Sequence, residues 1–128
     1  MTANLETYVH IIWSTKGRLP FLKTHAIRKS VWIKIYLIGK DKGYDMRFVN
    51  GYSDHCHCLI KIHSLQTISS IVKNLKGVSS KWINEQRIAG SIFQWQRSYK
   101  AIAVSPERYN SVLNYIKNQE NHHNQKNI

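Results

Sequence analysis

The sequence predicts an α+β fold in which one antiparallel β-sheet carries two helices on one face and a further helix at its C-terminal end. Four segments alternate apolar and polar residues with the period of two that is typical of half-buried strands. Two longer segments between them repeat apolar residues at helical spacing. A serine and a proline after the last strand indicate the start of the terminal helix.

The first third of the chain predicts a strand and a helix. The strand covers residues 8–15, where β-branched and aromatic side chains alternate with polar ones before a Lys-Gly-Arg segment. The helix covers about residues 24–42, and glycines at its end offer a stop. Its apolar positions recur every three or four residues, at Ile27, Val31, Ile35 and Ile38.

The middle of the chain predicts a β-hairpin followed by a second helix. Residues 44–48 and 56–63 both alternate, and the Asn50-Gly51 pair between them indicates a short connection. Thr67 can cap the second helix, whose apolar stripe extends to Ile83.

The last part of the chain predicts one strand, residues 99–104, and a terminal helix that starts at Ser105-Pro106 and reaches about Asn121. The resulting order, βαββαβ with an added helix, is the ferredoxin-like split βαβ plan. We predict a single domain over residues 1–128, with a polar tail that frays from about residue 122. The same plan serves RNA-binding modules, so the fold does not choose a function.

The composition favours a folded protein with a polyanionic partner. Of the 128 residues, 42% are hydrophobic and 20% charged, as in globular proteins. Lys and Arg outnumber Asp and Glu by 19 to 7, and the formal net charge of +12 makes nucleic acid the first candidate partner. The sequence has neither a signal-like leader nor an apolar run of about 20 residues, so we expect a soluble protein of the cytoplasm.

A histidine pair lies at the start of the third predicted strand. His55 and His57 flank one residue, so both imidazoles project to the same face, roughly 6 to 7 Å apart, a separation that suits a shared metal ion. Cys56 and Cys58 take the opposite face, and their spacing does not suit a disulfide. A zinc site built from all four residues is disfavoured, because alternation separates the thiols from the imidazoles.

The predicted terminal helix carries a tyrosine beside its apolar stripe. Tyr115 lies on the flank of the stripe, and Gln119, four residues later, projects from the same flank one turn on. A phenol can attack a phosphodiester, but its pKa of about 10 means that it needs a nearby cation or base. A metal ion beside the tyrosine would meet that need.

Five segments occur in an order shared with one known family: HIIWSTKGR, SDHCHCLIKI, VKNLKGVSSKWIN, FQWQRSYKAIAVS and YIKNQENHH. Through them nearly the whole chain resembles the HUH transposases with a single catalytic tyrosine, which move insertion sequences as single-stranded DNA. The centre of the HUH motif is usually a bulky aliphatic residue, and here it is Cys56, which packs as a small hydrophobe.

The resemblance implies roles for four residues. His55 and His57 would be the HUH pair, Gln119 would complete a site for a divalent metal, Mg²⁺ or Mn²⁺, and Tyr115 would be the nucleophile. The implied enzyme cleaves and rejoins single-stranded DNA through a 5′-phosphotyrosine intermediate and recognises hairpins near the ends of the element. The resemblance also implies a homodimer in which each tyrosine acts in trans.

Several basic and aromatic residues are candidates for DNA contacts, although each is equally compatible with a structural role. Trp82 and Trp95 could stack on bases, but Trp82 lies on the apolar stripe of the second helix. The basic candidates for phosphate contacts are Lys73, Lys76, Lys81, Arg97 and Lys100.

Two other classes of function fit parts of the sequence. A non-catalytic nucleic-acid-binding module on the same sheet explains the charge and the fold, but it leaves the histidine pair, Tyr115 and Gln119 unexplained. A replication initiator or relaxase nuclease uses the same histidine pair, but such domains usually belong to longer chains. A domesticated relative of a transposase would share all of these features.

Overall fold

A computed structural model describes residues 7–63 and 67–126, with side chains as far as His122. The strands are β1 (Thr7–Ser14), β2 (Asp45–Tyr52), β3 (His55–Ile62) and β4 (Lys100–Val104). The helices are α1 (His25–Asp41), α2 (Ile68–Glu85), α3 (Tyr109–Lys117) and α4 (Gln119–Lys126). Short 3₁₀ turns cover Lys16–Arg18 and Pro106–Arg108.

The strands form one antiparallel sheet in the order β2-β3-β1-β4. The two strands that are first and third in the chain lie at the centre, as the split βαβ plan requires. The predicted α+β fold is therefore confirmed. Within the described residues, no helix has the length and apolar character that a membrane span would need.

The main hydrophobic core lies between one face of the sheet and helices α1 and α2. Val9, Ile11 and Trp13 of β1 point into it, together with Cys56 and Cys58 of β3. Both cysteines are completely buried, and burial raises the pKa of the Cys56 thiol, so this residue packs as the expected small hydrophobe. The thiols lie on the opposite face from the histidines, as alternation predicts.

A smaller apolar cluster lies on the other face of the sheet, beneath α3. Its buried members are Leu59 of β3, Val104 of β4 and Ile116 of α3. Tyr8 and Tyr109 pack at its margin, with ring centroids 4.6 Å apart. This cluster attaches the C-terminal helices to the sheet and leaves the neighbouring part of the same face to polar residues.

Three local predictions differ from the structure. Asn50 and Gly51 do not form the hairpin connection, because both belong to β2 and the turn falls at Ser53 and Asp54. The predicted single terminal helix is divided at Asn118, where φ is −98° and ψ is 18°. The helical backbone then continues to Lys126, beyond the predicted helix end at about Asn121, and the final two residues lie outside the described part.

Gly51 is required at its place in the hairpin. It pairs with Cys56, and a Cβ atom at Gly51 would meet the backbone carbonyl oxygen of His55. We expect Gly51→Ala to lower the free energy of unfolding by about 1–3 kcal/mol, as measured by urea denaturation, because a backbone atom must shift.

Gly77→Ala is the matched control for this substitution. Gly77 lies within α2, and a Cβ there would meet nothing within 4 Å. Helix propensity then predicts a gain of about 0.5–1 kcal/mol. Equal effects of the two substitutions would contradict this account of Gly51.

Candidate active site

The pairing of β1 with β3 determines which side chains meet on the face away from the main core. Ser14 lies opposite His55, and Ile12 lies opposite His57. Two residues before Ile12 in β1, His10 lies opposite Leu59. Because paired residues point to the same face, polar and apolar residues of both strands come together next to α3 and α4.

A cavity of about 240 Å³ opens on this face. It brings together the four residues to which the sequence analysis assigns chemistry, although about sixty positions separate the histidines from the other two. The lining residues are Ile12, Ser14, Arg18, His55, His57, Tyr115, Gln119 and His122.

His55 is held on both ring nitrogens. Its Nδ1 atom lies 2.7 Å from Asp54 Oδ1, and its Nε2 atom lies 3.2 Å from Gln119 Oε1. The Gln119 side chain is almost completely buried, and its Nε2 group donates to the backbone carbonyl of Tyr115 at 3.2 Å. Because a carbonyl can only accept, this bond fixes the amide nitrogen there and leaves the amide oxygen facing His55.

His57 contacts a third histidine, His10 of β1. The His57 Nδ1 and His10 Nε2 atoms are 2.7 Å apart, and the two rings stack with centroids 5.0 Å apart. Burial, together with the positive charge of Lys100, lowers the pKa of His10 to about 4. His10 is therefore a neutral imidazole at physiological pH.

Tyr115 stands at the open side of the cavity with 47% of its surface exposed. Its ring approaches the ring of His57 edge-on at a centroid distance of 5.8 Å, and the ring of His122 at 5.9 Å. Asn50 of β2 pairs with His57 and donates to the carbonyls of Ile116 and Lys117 at 2.9 and 3.3 Å. These bonds tie the end of the tyrosine-bearing helix to the strand beside the histidine pair.

An ion pair anchors α4 on the other side of Asn118. Arg28 of α1 binds Glu120 in a bidentate manner, with N–O distances of 2.6 and 3.0 Å. Arg28 also donates to the Leu22 carbonyl at 2.9 Å and lies over the Tyr52 ring. Because Glu120 directly follows Gln119, this pair helps to hold Gln119 against His55.

The side chains of His55, His57 and Gln119 carry donor atoms of the kinds that bind metal ions. Within the described residues, no three His, Cys, Asp or Glu side chains form a metal-binding group. The amide oxygen of Gln119, which faces His55, is in position to be a third ligand beside His55 and His57. Ligands in adjacent positions around an ion at about 2.1 Å lie about 3 Å apart. The observed 3.2 Å between His55 Nε2 and Gln119 Oε1 agrees with that spacing. The donor set therefore fits a divalent ion.

Residues 4–119 match the family described as "Transposase IS200 like". The chain belongs to the IS200-like transposase family. No curated protein matches it.

Two solved structures share the fold of this transposase. One is a candidate transposase from Deinococcus radiodurans R1, with a TM-score of 0.71, 22% identity, and coverage of 93% of this chain and 95% of the other. The second is a REP-associated tyrosine transposase bound to a REP hairpin, with a TM-score of 0.63, 16% identity, and coverage of 96% and 74%. At these identities the two structures show the shared fold, while the family match shows that the chain is an IS200-like transposase.

The predicted DNA-binding residues of the transposase are spread over two faces. Lys100 of β4 pairs with Ile12 and so lies on the face with the cavity. Lys76 and Arg97 line a separate cavity with Lys16, where Lys76 Nζ donates to the carbonyls of Gln96 and Arg97. Lys73 and Lys81 are exposed on α2, which packs on the opposite face of the sheet.

The two tryptophans proposed for stacking are engaged within the protein. Trp95 is 8% exposed, and its Nε1 group donates to Ser79 Oγ at 2.9 Å. Trp82 packs against the main core and lies under the ammonium group of Lys34. The stacking role considered for Trp95 is wrong in this structure, because its ring is buried between Trp13 and Phe93.

Sequence reasoning missed four residues around the cavity: His10, Arg18, Asp54 and His122. Alternation along β1 does place His10 on the polar face, but only the register with β3 brings it to His57. Arg18 follows Gly17 in a turn where both residues have positive φ, 67° for Gly17 and 54° for Arg18. A lone arginine in such a turn carries no pattern that would identify it beforehand.

Glu120 provides a prediction for stability. Burial alone would raise its pKa, but the hydrogen bonds and charge of Arg28 outweigh burial and lower it. A lowered folded pKa means that the ion pair stabilises the fold above the pKa of an unfolded glutamate, and that this contribution is lost as pH falls through the folded pKa. We expect Glu120→Gln to cost about 1.5–3 kcal/mol at neutral pH in urea unfolding.

The difference between Glu120→Gln and the wild-type protein should shrink as pH falls below the ordinary glutamate pKa and through the lowered pKa of folded Glu120, because the carboxylate then becomes protonated in both states of the wild type. Glu107→Gln, at an exposed position in a 3₁₀ turn, serves as the control and should change stability by less than about 0.5 kcal/mol. A Glu120→Gln effect that is independent of pH would refute the ion-pair explanation.

Proposed function

We propose that this transposase cleaves and rejoins single-stranded DNA through a covalent link between Tyr115 and a 5′-phosphate. One observation carries the proposal: the Tyr115 ring, the two imidazoles of the HUH motif and the Gln119 amide line the same cavity in a single chain. A binding module would have no need of an exposed phenol beside two buried imidazoles and a buried amide that could ligate a metal ion.

The proposed cleavage step is a direct displacement at phosphorus. Tyr115 Oη loses its proton and forms a bond to the scissile phosphorus, while the bond from phosphorus to the 3′ oxygen breaks. The 3′ oxygen takes up a proton and leaves as a 3′-OH. Because one phosphodiester replaces another, an incoming 3′-OH can reverse the step and rejoin the strand without a nucleotide cofactor.

His55, His57 and Gln119 would hold a divalent ion, Mg²⁺ or Mn²⁺. When bound, the ion would polarise the scissile phosphate and offset the negative charge that develops during attack. The amide oxygen suits either ion, whereas imidazoles favour transition metals. Mn²⁺ is therefore the better probe of binding.

The position of Tyr115 supports attack within one subunit. Its ring lies beside His57 of the same chain, and the bonds from Asn50 to the α3 carbonyls maintain that position. Attack in trans within a homodimer, as expected from the sequence, would require α3 and α4 to leave these contacts. The homodimer stays a prediction.

The substrate proposed for this chain is single-stranded DNA that carries a hairpin. The structural neighbour bound to a REP hairpin supports this choice, as does the net charge of +12. Lys100 and Arg18 are positioned to contact phosphates next to the cavity. Such an enzyme would act in the cytoplasm, as the sequence predicts.

Tyr115→Phe provides the direct test of the covalent step. We expect this substitution to abolish a denaturation-resistant adduct with single-stranded hairpin DNA in Mn²⁺, because the only change is loss of the nucleophilic oxygen, while DNA affinity stays unchanged. Adduct formation is followed by gel shift after denaturation. Tyr109→Phe, on the same helix at the margin of the smaller core, is the control and should retain the adduct.

A mixture of Tyr115→Phe and His57→Ala proteins then distinguishes the two arrangements. Attack in cis predicts no adduct in the mixture, whereas attack in trans predicts that a mixed dimer restores it. An adduct that survives Tyr115→Phe alone would mean that another group is the nucleophile and would overturn the proposal.

Lys100 provides the test of the DNA path. We expect Lys100→Gln to reduce the slope of log affinity against log salt by about 0.7, because one phosphate contact is lost on single-stranded DNA. Fluorescence anisotropy without added metal measures this slope. Lys42→Gln, at the end of α1 on the other face of the sheet, is the control and should leave the slope unchanged. Equal slopes for the wild type, Lys100→Gln and Lys42→Gln would mean that Lys100 does not contact the DNA.

A further inference from the structure

His10 contacts the proposed metal ligand His57 across the two central strands. Only 6% of His10 and 4% of His57 are exposed, so the 2.7 Å contact between His10 Nε2 and His57 Nδ1 is shielded from water. The register partners of His10 are Leu59 on β3 and Ile102 on β4, and both are apolar. In this buried contact, one imidazole nitrogen must donate a proton and the other must accept it.

A neutral imidazole carries its proton on one ring nitrogen and a lone pair on the other. In His57, Nδ1 faces His10, so Nε2 lies on the far side of the ring from His10. A metal ion requires the lone pair, so a ligating Nε2 leaves the proton on Nδ1. The atom that receives this proton in a hydrogen bond is then His10 Nε2.

We propose that His10 is a positioning residue for the metal site. Its Nε2 atom accepts the hydrogen bond from His57 Nδ1–H and holds His57 in the tautomer whose Nε2 lone pair is available for the metal. The inference rests on the proposed function, since it takes His57 as a ligand. Without the acceptor, the Nε2–H tautomer gains population, and that tautomer has no lone pair on Nε2 with which to bind the metal.

The neighbouring histidine has an equivalent support. Asp54 Oδ1 lies 2.7 Å from His55 Nδ1, which is the carboxylate-to-histidine arrangement common behind metal-ligating imidazoles. His10 therefore does for His57 what Asp54 does for His55. A neutral acceptor at this position adds no negative charge to a buried, largely apolar strand pair.

The tautomer of His57 can be measured in the metal-free protein. Imidazole ¹⁵N shifts, recorded at a pH well above the ordinary imidazole pKa, should assign the His57 proton to Nδ1 in the wild type. In His10→Leu the signal should shift toward the Nε2–H tautomer, whereas His10→Gln, which can present an amide oxygen as acceptor, should retain the Nδ1–H form.

Titration with Mn²⁺ alone gives the second readout. We expect His10→Leu to bind Mn²⁺ about 10–100-fold more weakly than the wild type, and His10→Gln to recover most of the affinity. The thermal midpoint and the affinity for hairpin DNA without metal should stay close to wild type in a folded variant. If His10→Leu fails to fold, the wild-type tautomer and the His10→Gln titration decide the question.

Two results would overturn the inference: a wild-type His57 protonated on Nε2, or Mn²⁺ affinity unchanged in His10→Leu. His57→Ala separates these from failure of the metal site itself. Equal Mn²⁺ binding by His57→Ala and wild type would mean that His57 is not a ligand, which removes the proposed site and the role of His10 together. Loss of binding in His57→Ala with unchanged binding in His10→Leu would reject the inference alone.

Discussion

The register between β1 and β3 is the constraint on which both the core and the cavity depend. Side chains alternate along a strand, so a slip of one residue would exchange the faces of the whole strand. Ile11 and Cys58, which pair with each other, are completely buried in the main core. Their packing holds the register, because burial of a side chain such as that of Ile11 alone contributes about 1.5–3 kcal/mol. The positions of His55 and His57 therefore follow from apolar packing on the other face of the same strands.

The second requirement is that a distant part of the chain reaches this face. Asn50 binds the carbonyls at the end of α3, and Arg28 binds Glu120 at the start of α4. These two anchors lie on either side of Asn118, where the helix is interrupted. Gln119 lies between the two anchors with its amide oxygen facing His55, whereas Tyr115, which precedes both anchors, stays half exposed. Both residues line the same cavity, Gln119 as a buried side chain and Tyr115 as a half-exposed one.

Sequence reasoning succeeded where local periodicity decides the outcome. Alternation placed the HUH histidines and the intervening Cys56 on opposite faces, and helical spacing identified α1 and α2, including the Thr67 cap that accepts from the Ser70 amide. It failed where the outcome depends on tertiary contacts. Asn50 has the composition of a turn residue, but its amide is used from within β2 to hold α3.

Dependence on tertiary contacts also explains which features of the site could not be predicted from the sequence. Gln119 was expected beside Tyr115 as a residue on the same flank, and the two do meet in one cavity, but only 1% of Gln119 is exposed, which the sequence did not indicate. The contact between His10 and His57 depends on which strands pair and in which register, and a single sequence does not specify either. For Lys73 and Lys81, helical spacing indicates exposure but not the face of the sheet on which α2 packs.

The site combines rigid and accessible parts, and the two cores account for the division. His55, His57 and Gln119 are nearly buried, and the histidines belong to a strand whose other face is packed in the main core. Tyr115 is half exposed on a helix held by the small cluster of Leu59, Val104 and Ile116, together with a few polar anchors. Loss of that small cluster would cost far less free energy than opening the main core, since the cost scales with buried apolar area. The proposed nucleophile is therefore carried by a part of the fold that can shift more easily around a DNA strand than β3, on which the two proposed histidine ligands are fixed.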